Sequence, residues 1–156
     1  QTVPVIAIAP VFIIWFGYGM APKVVITALI CFFPMTVNTV TGYDAVDHDA
    51  RMLFRAYGAG RFTTFRLLSL PAALPSIFAG IKISVALSVI GATIGEWVGS
   101  DAGLGYVILQ ASSQIITARV FAAIVLLSLM GIVLFSLASL LERFVLRWRQ
   151  AGAAGR

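Results

Sequence analysis

Residues 120–141 read VFAAIVLLSLMGIVLFSLASLL, an apolar run of 22 residues without a charged side chain. Because a helix needs about 20 mostly apolar residues to cross the hydrocarbon core of a bilayer, this run predicts a transmembrane helix. The whole chain has the same character: 60% of its 156 residues are hydrophobic and 11% are charged, and its mean hydropathy is +1.01. An ordinary soluble domain carries roughly 25% charged residues. The composition therefore predicts an integral membrane protein.

Three further apolar runs are candidate spans, at residues 3–18, 24–41 and 72–98. The first is short, and the chain opens with Gln1, without a Met or a basic leader. We therefore expect a fragment that begins inside a longer protein, not an intact signal peptide.

The second run carries polar side chains that can hydrogen-bond across helices in lipid, so we expect it to face other protein. These residues are Thr27, Thr36, Asn38 and Thr39.

Orientation is predicted from the basic residues, which accumulate in cytoplasmic loops. Arginines cluster in two places, and we assign both, including the C-terminus, to the cytoplasm: they are Arg51, Arg55, Arg61 and Arg66, and Arg143, Arg147, Arg149 and Arg156. The basic residues in the loops on the opposite side are only two, Lys23 and Arg119. Tryptophan favours membrane interfaces, and Trp15, Trp97 and Trp148 all fall near predicted span ends.

The net charge of +5 does not indicate a nucleic-acid-binding protein, because the basic residues lie beside apolar runs instead of forming a patch on a soluble domain. The single cysteine, Cys31, lies inside an apolar run and is expected to be a packing residue. One cysteine allows neither a disulfide framework nor a cysteine-based metal site within the chain.

The connection at residues 43–71 is long and clearly patterned. Asp47 and Asp49 are candidate N-caps, because a carboxylate accepts hydrogen bonds from the exposed N–H groups at a helix start. We therefore expect a short helix over residues 50–57. The side chains that it would present on one side are Leu53, Phe54 and Tyr57.

This short helix is expected to end at Gly58, since glycine readily takes the left-handed conformation that follows a helix. Gly60 would allow a sharp turn. A second helical piece is then expected, with Pro71 marking the start of the third span; its apolar residues are Phe62, Phe65 and Leu68. The segment is predicted to lie on the membrane surface and then to return into the bilayer.

This segment resembles the cytoplasmic signature of ABC importer permeases, written E-A-A, three residues, G, nine residues, I-x-L-P. Gly58, Leu70 and Pro71 match it, and Leu68 stands in place of the Ile. The positions of E-A-A hold Met52, Leu53 and Phe54 instead. Further matches extend along nearly the whole chain: Ala9-Pro10 to Trp15-Phe16-Gly17, Phe33-Pro34 with Asn38-Thr39, and Gly95-Glu96-Trp97-Val98-Gly99 with Gly103-Leu104-Gly105.

The resemblance is to the branch that handles nitrate, sulfonates, taurine, thiamine-precursor pyrimidines and related small solutes. It implies an all-α polytopic transmembrane helix bundle of the MetI-like type, with residues 1–156 forming one permease domain whose first helices are absent. It also implies that residues 43–71 contain a coupling helix that docks on an ATPase. The coupling residues would be Leu53, Phe54, Tyr57, Gly58, Ala59, Gly60, Leu70 and Pro71.

The partners implied are a cytoplasmic ABC ATPase, an extracytoplasmic solute-binding protein and a second permease copy, in a bacterial inner (plasma) membrane. The chain lacks a G-x-x-x-x-G-K-[ST] phosphate loop, so ATP is expected to bind to a partner. We expect no cofactor, no metal and no catalytic residue in this chain.

Glu96 is the leading candidate for the substrate path or its outer gate, because carboxylates at membrane depth are costly and often functional. The alternative is that it lies at the interface or pairs with a neighbouring loop. Lys82, two turns inside the cytoplasmic end, is expected to extend its ammonium to the interface. It lies fourteen residues, about 21 Å along a helix, from Glu96, so these two cannot pair.

Other polar residues allow two interpretations each. Thr36, Asn38 and Thr39 either line the path or join helices together, and residues 103–116 form a short outer helix that either docks a binding protein or covers the surface. His48, between two aspartates, is expected to be solvated rather than a metal ligand.

The sequence therefore favours a transport subunit for a small solute, with a weak preference for a thiamine-precursor pyrimidine or similar heterocycle over nitrate, sulfonate or taurine. The alternative is an accessory or structural membrane protein without its own path. An intramembrane enzyme is disfavoured, since no G-x-S-x-G elbow or intramembrane carboxylate pair is present.

Overall fold

The computed structural model describes residues 5–147, and these residues form helices without a strand. The helices are α1 (Val5–Phe16), α2 (Met20–Asp44), α3 (His48–Ala56), α4 (Arg61–Thr64), a π-helical turn (Phe65–Ser69), α5 (Leu70–Gly99), α6 (Leu104–Ser113) and α7 (Thr117–Val145). Trp148, used above as an interface marker, lies outside the described residues.

Three helices in the described part of the chain are long and apolar enough to cross a membrane: Met20–Asp44, Arg61–Gly99 and Thr117–Val145. Three predicted spans lie inside them, and each helix extends beyond its apolar run. α1 is a shorter apolar helix of 12 residues. The expected all-α, polytopic membrane architecture is confirmed.

The main interface is an antiparallel packing of α2 against α5, made through glycines. Added Cβ atoms on glycines of α5 would lie 3.1 Å from Lys23 Cα, at Gly95, and 3.0 Å from Thr27 Cα, at Gly91. Near the other end, a Cβ on Gly42 of α2 would lie 2.6 Å from Ser76 Cβ. Small residues in lipid let backbones approach closely, and dispersion contacts then hold the helices together.

Gly42→Ala should test this packing. The added methyl group has no room, so we expect a loss of about 1–3 kcal/mol of stability from overpacking. Gly131→Ala on α7 is the matched control, because its Cβ would meet nothing nearer than 3.9 Å. Thermal unfolding of the full-length permease in detergent should show a lower Tm for Gly42→Ala alone. Adding Ser76→Gly should restore part of it, because the Ala73 carbonyl oxygen still lies 3.0 Å from the added Cβ. Equal Tm values for the two alanine variants would contradict the packing argument.

Cys31 takes part in the same interface. Its Sγ donates to the Ser84 carbonyl at 3.1 Å, and the Ser84 hydroxyl donates to the Cys31 carbonyl at 3.1 Å. The cysteine therefore packs between helices, as predicted, and also forms a reciprocal hydrogen-bonded contact. Nearer the start of α2, Ala9, Ile26 and Ile94 form a small buried cluster that holds α1 against α2 and α5.

The helix that enters the third span starts earlier than predicted. Arg61–Gly99 runs as one helix of 39 residues, so Pro71 lies inside it and does not mark its start. Proline lacks an N–H and its ring clashes with the carbonyl four residues back, here that of Leu67. The π-helical turn directly before Pro71, where the Leu70 N–H donates to the Phe65 carbonyl, loosens the helix at this point. The helix therefore continues past the proline.

Candidate functional site

The first candidate site is α3, which the chain holds between two membrane-length helices. Its N-cap is Asp47, whose side chain accepts a hydrogen bond from the Asp49 N–H at 3.1 Å. Asp49 itself lies in the first turn, where a carboxylate interacts favourably with the positive end of the helix dipole. The sequence thus predicted the right cap, with the helix beginning at His48 rather than Ala50.

The C-terminus of α3 is closed by a Schellman motif around Gly58. The Gly58 N–H donates to the Arg55 carbonyl at 2.9 Å, and the Ala59 N–H donates to the Phe54 carbonyl at 3.0 Å. Gly58 has φ of +73°, the left-handed conformation that this motif requires. The predicted role of Gly58 in ending the helix is confirmed.

Gly60 behaves differently from the prediction. Its φ of −65° and ψ of 163° place it in the extended region, which any residue adopts. The sharp change of direction is therefore made at Gly58, and Gly60 is the residue directly before α4.

The side of α3 that carries Leu53 and Tyr57 is open to the surroundings. Met52, Leu53 and Tyr57 are 54%, 56% and 82% exposed, whereas Phe54 is half-buried. Large apolar side chains grouped on one exposed face mark an interaction surface. Of the three residues predicted to share this side, Phe54 is turned partly inward. Leu70 and Pro71 lie farther along, just after the π-helical turn.

The second candidate site is Glu96, near the end of α5. Its Oε2 accepts a hydrogen bond from the Gly105 N–H at 2.6 Å, in the first turn of α6. A Cβ on Gly103, which has φ of +120°, would overlap the Glu96 carboxylate. The pairing with a neighbouring loop, one of the two alternatives above, is what the structure shows. The two glycines of the Gly-Leu-Gly sequence are needed here, because a Cβ at Gly103 or Gly105 would clash with the Glu96 carboxylate at the N-terminus of α6.

Lys82 has a partner that sequence reasoning missed. Its Nζ lies 2.7 Å from Glu142 Oε2 on α7, and the two side chains are 26% and 22% exposed. The ammonium therefore joins α5 to α7, and its partner Glu142 directly follows the apolar run 120–141 at the end of α7 expected to face the cytoplasm. Sixty residues separate the pair, and no local pattern in the sequence signals it.

Within residues 5–147, no hydrogen bond joins Thr36, Asn38 or Thr39 to another helix. Each donates to a carbonyl four residues earlier on α2, at 2.8, 2.8 and 2.7 Å respectively. Thr36 and Thr39 also line a groove of about 640 Å³ between α2 and α5. Asn38 faces α5 instead, where its Cβ lies 3.0 Å from the position of an added Cβ on Gly80. The three candidate path residues thus divide between a groove and a helix interface.

Polar contacts also join the other end of α2 to the loop after α5. The Lys23 ammonium donates to the Ser100 hydroxyl at 2.7 Å, beside a pocket of about 470 Å³ that Trp97 and Asp101 also line. The sequence gives no signal of this contact, because Lys23 and Ser100 are 77 residues apart in the chain. His48 lies at the start of α3, and the described residues contain no group of His, Cys, Asp and Glu side chains arranged to hold a metal ion.

Long apolar helices packed through glycines, with a short surface helix held between two of them, define a polytopic membrane protein of the permease type. The chain belongs to the family of binding-protein-dependent transport system inner membrane components, which it matches over residues 1–147. The resemblance found in the sequence is therefore confirmed, and so is the expectation of a transport component and not an enzyme.

Its relatives are transport permeases for different solutes. The chain is 45% identical over 150 residues to the formylaminopyrimidine transport permease protein of Halalkalibacterium halodurans, covering 96% of this chain and 60% of that protein. It is 38% identical over 148 residues to the riboflavin transport system permease protein of Chloroflexus aurantiacus (95% and 55%). It is 27% identical over 148 residues to the taurine transport system permease protein of Escherichia coli (95% and 54%). The chain thus spans between 54% and 60% of the length of these relatives.

Proposed function

We propose that this chain is part of the permease subunit of an ABC importer and forms part of the path of a small solute across a bacterial inner membrane. The observation that carries the proposal is α3, an exposed apolar helix whose two ends are fixed by Asp47 and by Gly58. A helix that only connected two spans would gain nothing from an open apolar face. A helix that docks on a soluble ATPase needs both the face and a fixed angle.

The partners proposed are a cytoplasmic ATPase, a solute-binding protein on the outer side and a second copy of the permease. The apolar surfaces of the spans support further assembly: only 6% of the most apolar windows of α2 and α7 is buried within the chain. A groove of about 700 Å³ between α5 and α7 is lined by apolar side chains, including Trp97 and Phe135. Lipid and a second permease copy are the partners available to this surface.

Cross-linking tests this arrangement directly. Tyr57 on α3 and Ile115 after α6 have almost the same exposure, 82% and 86%, yet belong to segments proposed to lie on opposite sides of the membrane. A photo-reactive residue at position 57 of the full-length permease should capture the ATPase, and one at position 115 should capture the solute-binding protein. Equal yields of both products from both positions, or capture of neither partner at position 57, would contradict the proposed function.

The proposed topology places Gly58 and the C-terminus in the cytoplasm and Asp101 outside, following the arginine distribution. After replacement of the native Cys31 by alanine, a membrane-impermeant maleimide applied to intact cells should label Asp101→Cys and leave Gly60→Cys unlabelled. Both positions are exposed in the structure. Labelling of position 60 but not of position 101 would show that the chain has the opposite orientation.

The path proposed within this chain includes the groove beside Thr36 and Thr39, with Asn38 behind it and Glu96 at the outer end. Glu96 would act by holding α6 against the end of α5, since its carboxylate is engaged by the first turn of α6. For the solute we prefer a formylated or related pyrimidine or another small heterocycle. The support is the 45% identity to a formylaminopyrimidine permease and the 38% identity to a riboflavin permease, against 27% to a taurine permease.

A further inference from the structure

Three arginines line one pocket beside the ends of α2 and α4. Arg51, Arg55 and Arg61 surround a cavity of about 370 Å³ whose wall also includes Tyr43 and Ser69. Ser69, on the π-helical turn, is 2% exposed, so the cavity reaches the packed part of the fold. We call this the arginine pocket.

Within the described part of the chain, no carboxylate lines the arginine pocket or lies within 4 Å of its guanidinium groups. Between residues 5 and 147 the one salt bridge is that of Lys82 with Glu142. Arg51 stacks over the Tyr43 ring, 4.7 Å from its centroid, and donates to the Tyr43 carbonyl at 2.5 Å. Its Nε is buried and has no hydrogen-bond partner in the described residues. Because like charges repel and a buried unpaired donor is costly, the pocket is suited to an anion.

The arginine pocket lies on the opposite side of α3 from its exposed apolar face. Residues four apart share a helix face, so Leu53 and Tyr57 form one side, and Arg51 and Arg55 form the other. At 100° per residue the two sides point in roughly opposite directions. If the apolar face meets the ATPase, the arginines face back toward the ends of the membrane helices.

The arginine pocket lies at a height along the spanning helices that fits the membrane interface. Tyr43 is next to the last residue of α2. The helix Arg61–Gly99 is 39 residues long, about 58 Å at 1.5 Å per residue, nearly twice the hydrocarbon thickness. Its first turns therefore lie at or beyond the headgroup region. Phe62 and Phe65 next to the arginines are 75% and 46% exposed, which offers apolar surface beside the cationic one.

We propose that the arginine pocket binds the phosphodiester headgroup of an anionic phospholipid, such as phosphatidylglycerol. Guanidinium groups match phosphate oxygens with paired N–H donors, and basic pockets at the ends of membrane helices are suited to anionic headgroups. The bound lipid would tie α3 to α4 and hold the coupling segment at the bilayer surface. This site is distinct from the solute path and from the proposed ATPase surface.

The test measures lipid selectivity of the purified full-length permease complex. Native mass spectrometry in micelles that contain equal amounts of phosphatidylglycerol and phosphatidylcholine with identical acyl chains should show retained phosphatidylglycerol. Each arginine near an anionic surface contributes roughly fivefold in affinity, so Arg55→Gln/Arg61→Gln should reduce the preference by about 25-fold. Arg55→Lys/Arg61→Lys keeps the charges but not the paired N–H donors, and should retain part of the preference.

The matched control is Arg66→Gln/Arg143→Gln, which removes the same charge at residues that do not line the pocket. Charges near the membrane surface attract anionic lipid wherever they lie, so this control measures the diffuse part of the effect, and the pocket variant should lose several-fold more of the preference. An equal loss in this control would show a diffuse surface effect, and a wild-type complex without lipid preference would refute the site. Displacement of the lipid by millimolar inorganic phosphate would assign the pocket to a soluble anion. A preference seen only after removal of the ATPase would assign it to an acidic group of that partner.

Discussion

Gly58→Val in the full-length permease should abolish or uncouple solute-stimulated ATP hydrolysis and lower transport, while leaving membrane insertion intact. Gly58 has φ of +73°, and nothing lies within 4 Å of an added Cβ. The cost is therefore one of backbone conformation and not of a clash: a left-handed conformation costs roughly 1–2 kcal/mol for a non-glycine residue. That cost shifts the equilibrium toward a different helix end by about 5- to 30-fold. In that conformation Leu53 and Tyr57 would point away from the ATPase.

Two comparisons make the Gly58 result specific. Gly58→Asn should fall between wild type and valine, because asparagine tolerates the left-handed region better than β-branched residues. Gly17 also has φ of +73° and open space around its Cβ, but it lies between α1 and α2. Gly17→Val therefore carries the same local strain and should leave the ratio of stimulated to basal ATPase activity unchanged. If both valine variants uncouple equally, the effect is general destabilisation and not loss of transmission through α3.

Lys82→Met should destabilise the permease by about 2–3 kcal/mol, less than the 3–5 typical for a fully buried pair because both partners are partly exposed. The substitution leaves the Glu142 carboxylate between two membrane-length helices without its ammonium partner, which sits 2.7 Å away in the structure. Thermal unfolding of the full-length protein in detergent measures the loss as a lower Tm.

The double variant Lys82→Met/Glu142→Leu tests whether the loss of stability comes from leaving Glu142 without its partner or only from removing the Lys82 side chain. Replacing both members of an ion pair by apolar residues of similar volume is often neutral, so we expect a Tm near that of wild type. The exchanged pair Lys82→Glu/Glu142→Lys should also recover part of the stability. A Lys82→Met variant as stable as wild type would mean that the contact contributes nothing to the packing of α5 against α7.

The features that the sequence predicts well are those encoded by neighbouring residues. Apolar runs identify three membrane-length helices because the bilayer fixes their length and composition. Gly58 is identifiable because only a residue without a Cβ enters the left-handed conformation cheaply. Asp47 is recognisable as a cap for a similar reason, since a carboxylate just before a helix has free N–H groups to accept from.

The features that the sequence does not reveal depend on which helices meet. Glu96 lies nine residues from Gly105, but its contact requires the chain to turn back after α5. Lys82 and Glu142 are on different helices, and the arginine pocket combines α3 with α4. For Thr36 and Thr39 the sequence suggests contacts that the structure does not have. Their hydroxyl groups predict hydrogen bonds between helices, but each donates to a backbone carbonyl of α2 itself. The packing of α5 against α6 and α7 decides the first two contacts, those of Glu96 and Lys82, and no local pattern in the sequence specifies that packing.

The π-helical turn at Phe65–Ser69 also changes the direction in which side chains before it point, relative to those after it on the same long helix. A π turn accommodates about one more residue than an α-helical turn, and each residue of an α-helix advances by about 100°. Everything before the turn, including α4, is therefore rotated by that amount from where an uninterrupted helix would place it. The same residues wound as a regular α-helix would keep every membrane span and still direct Arg61 to a different quadrant of the helix. The side of the bundle on which the coupling segment lies is thus determined by this one π-helical turn.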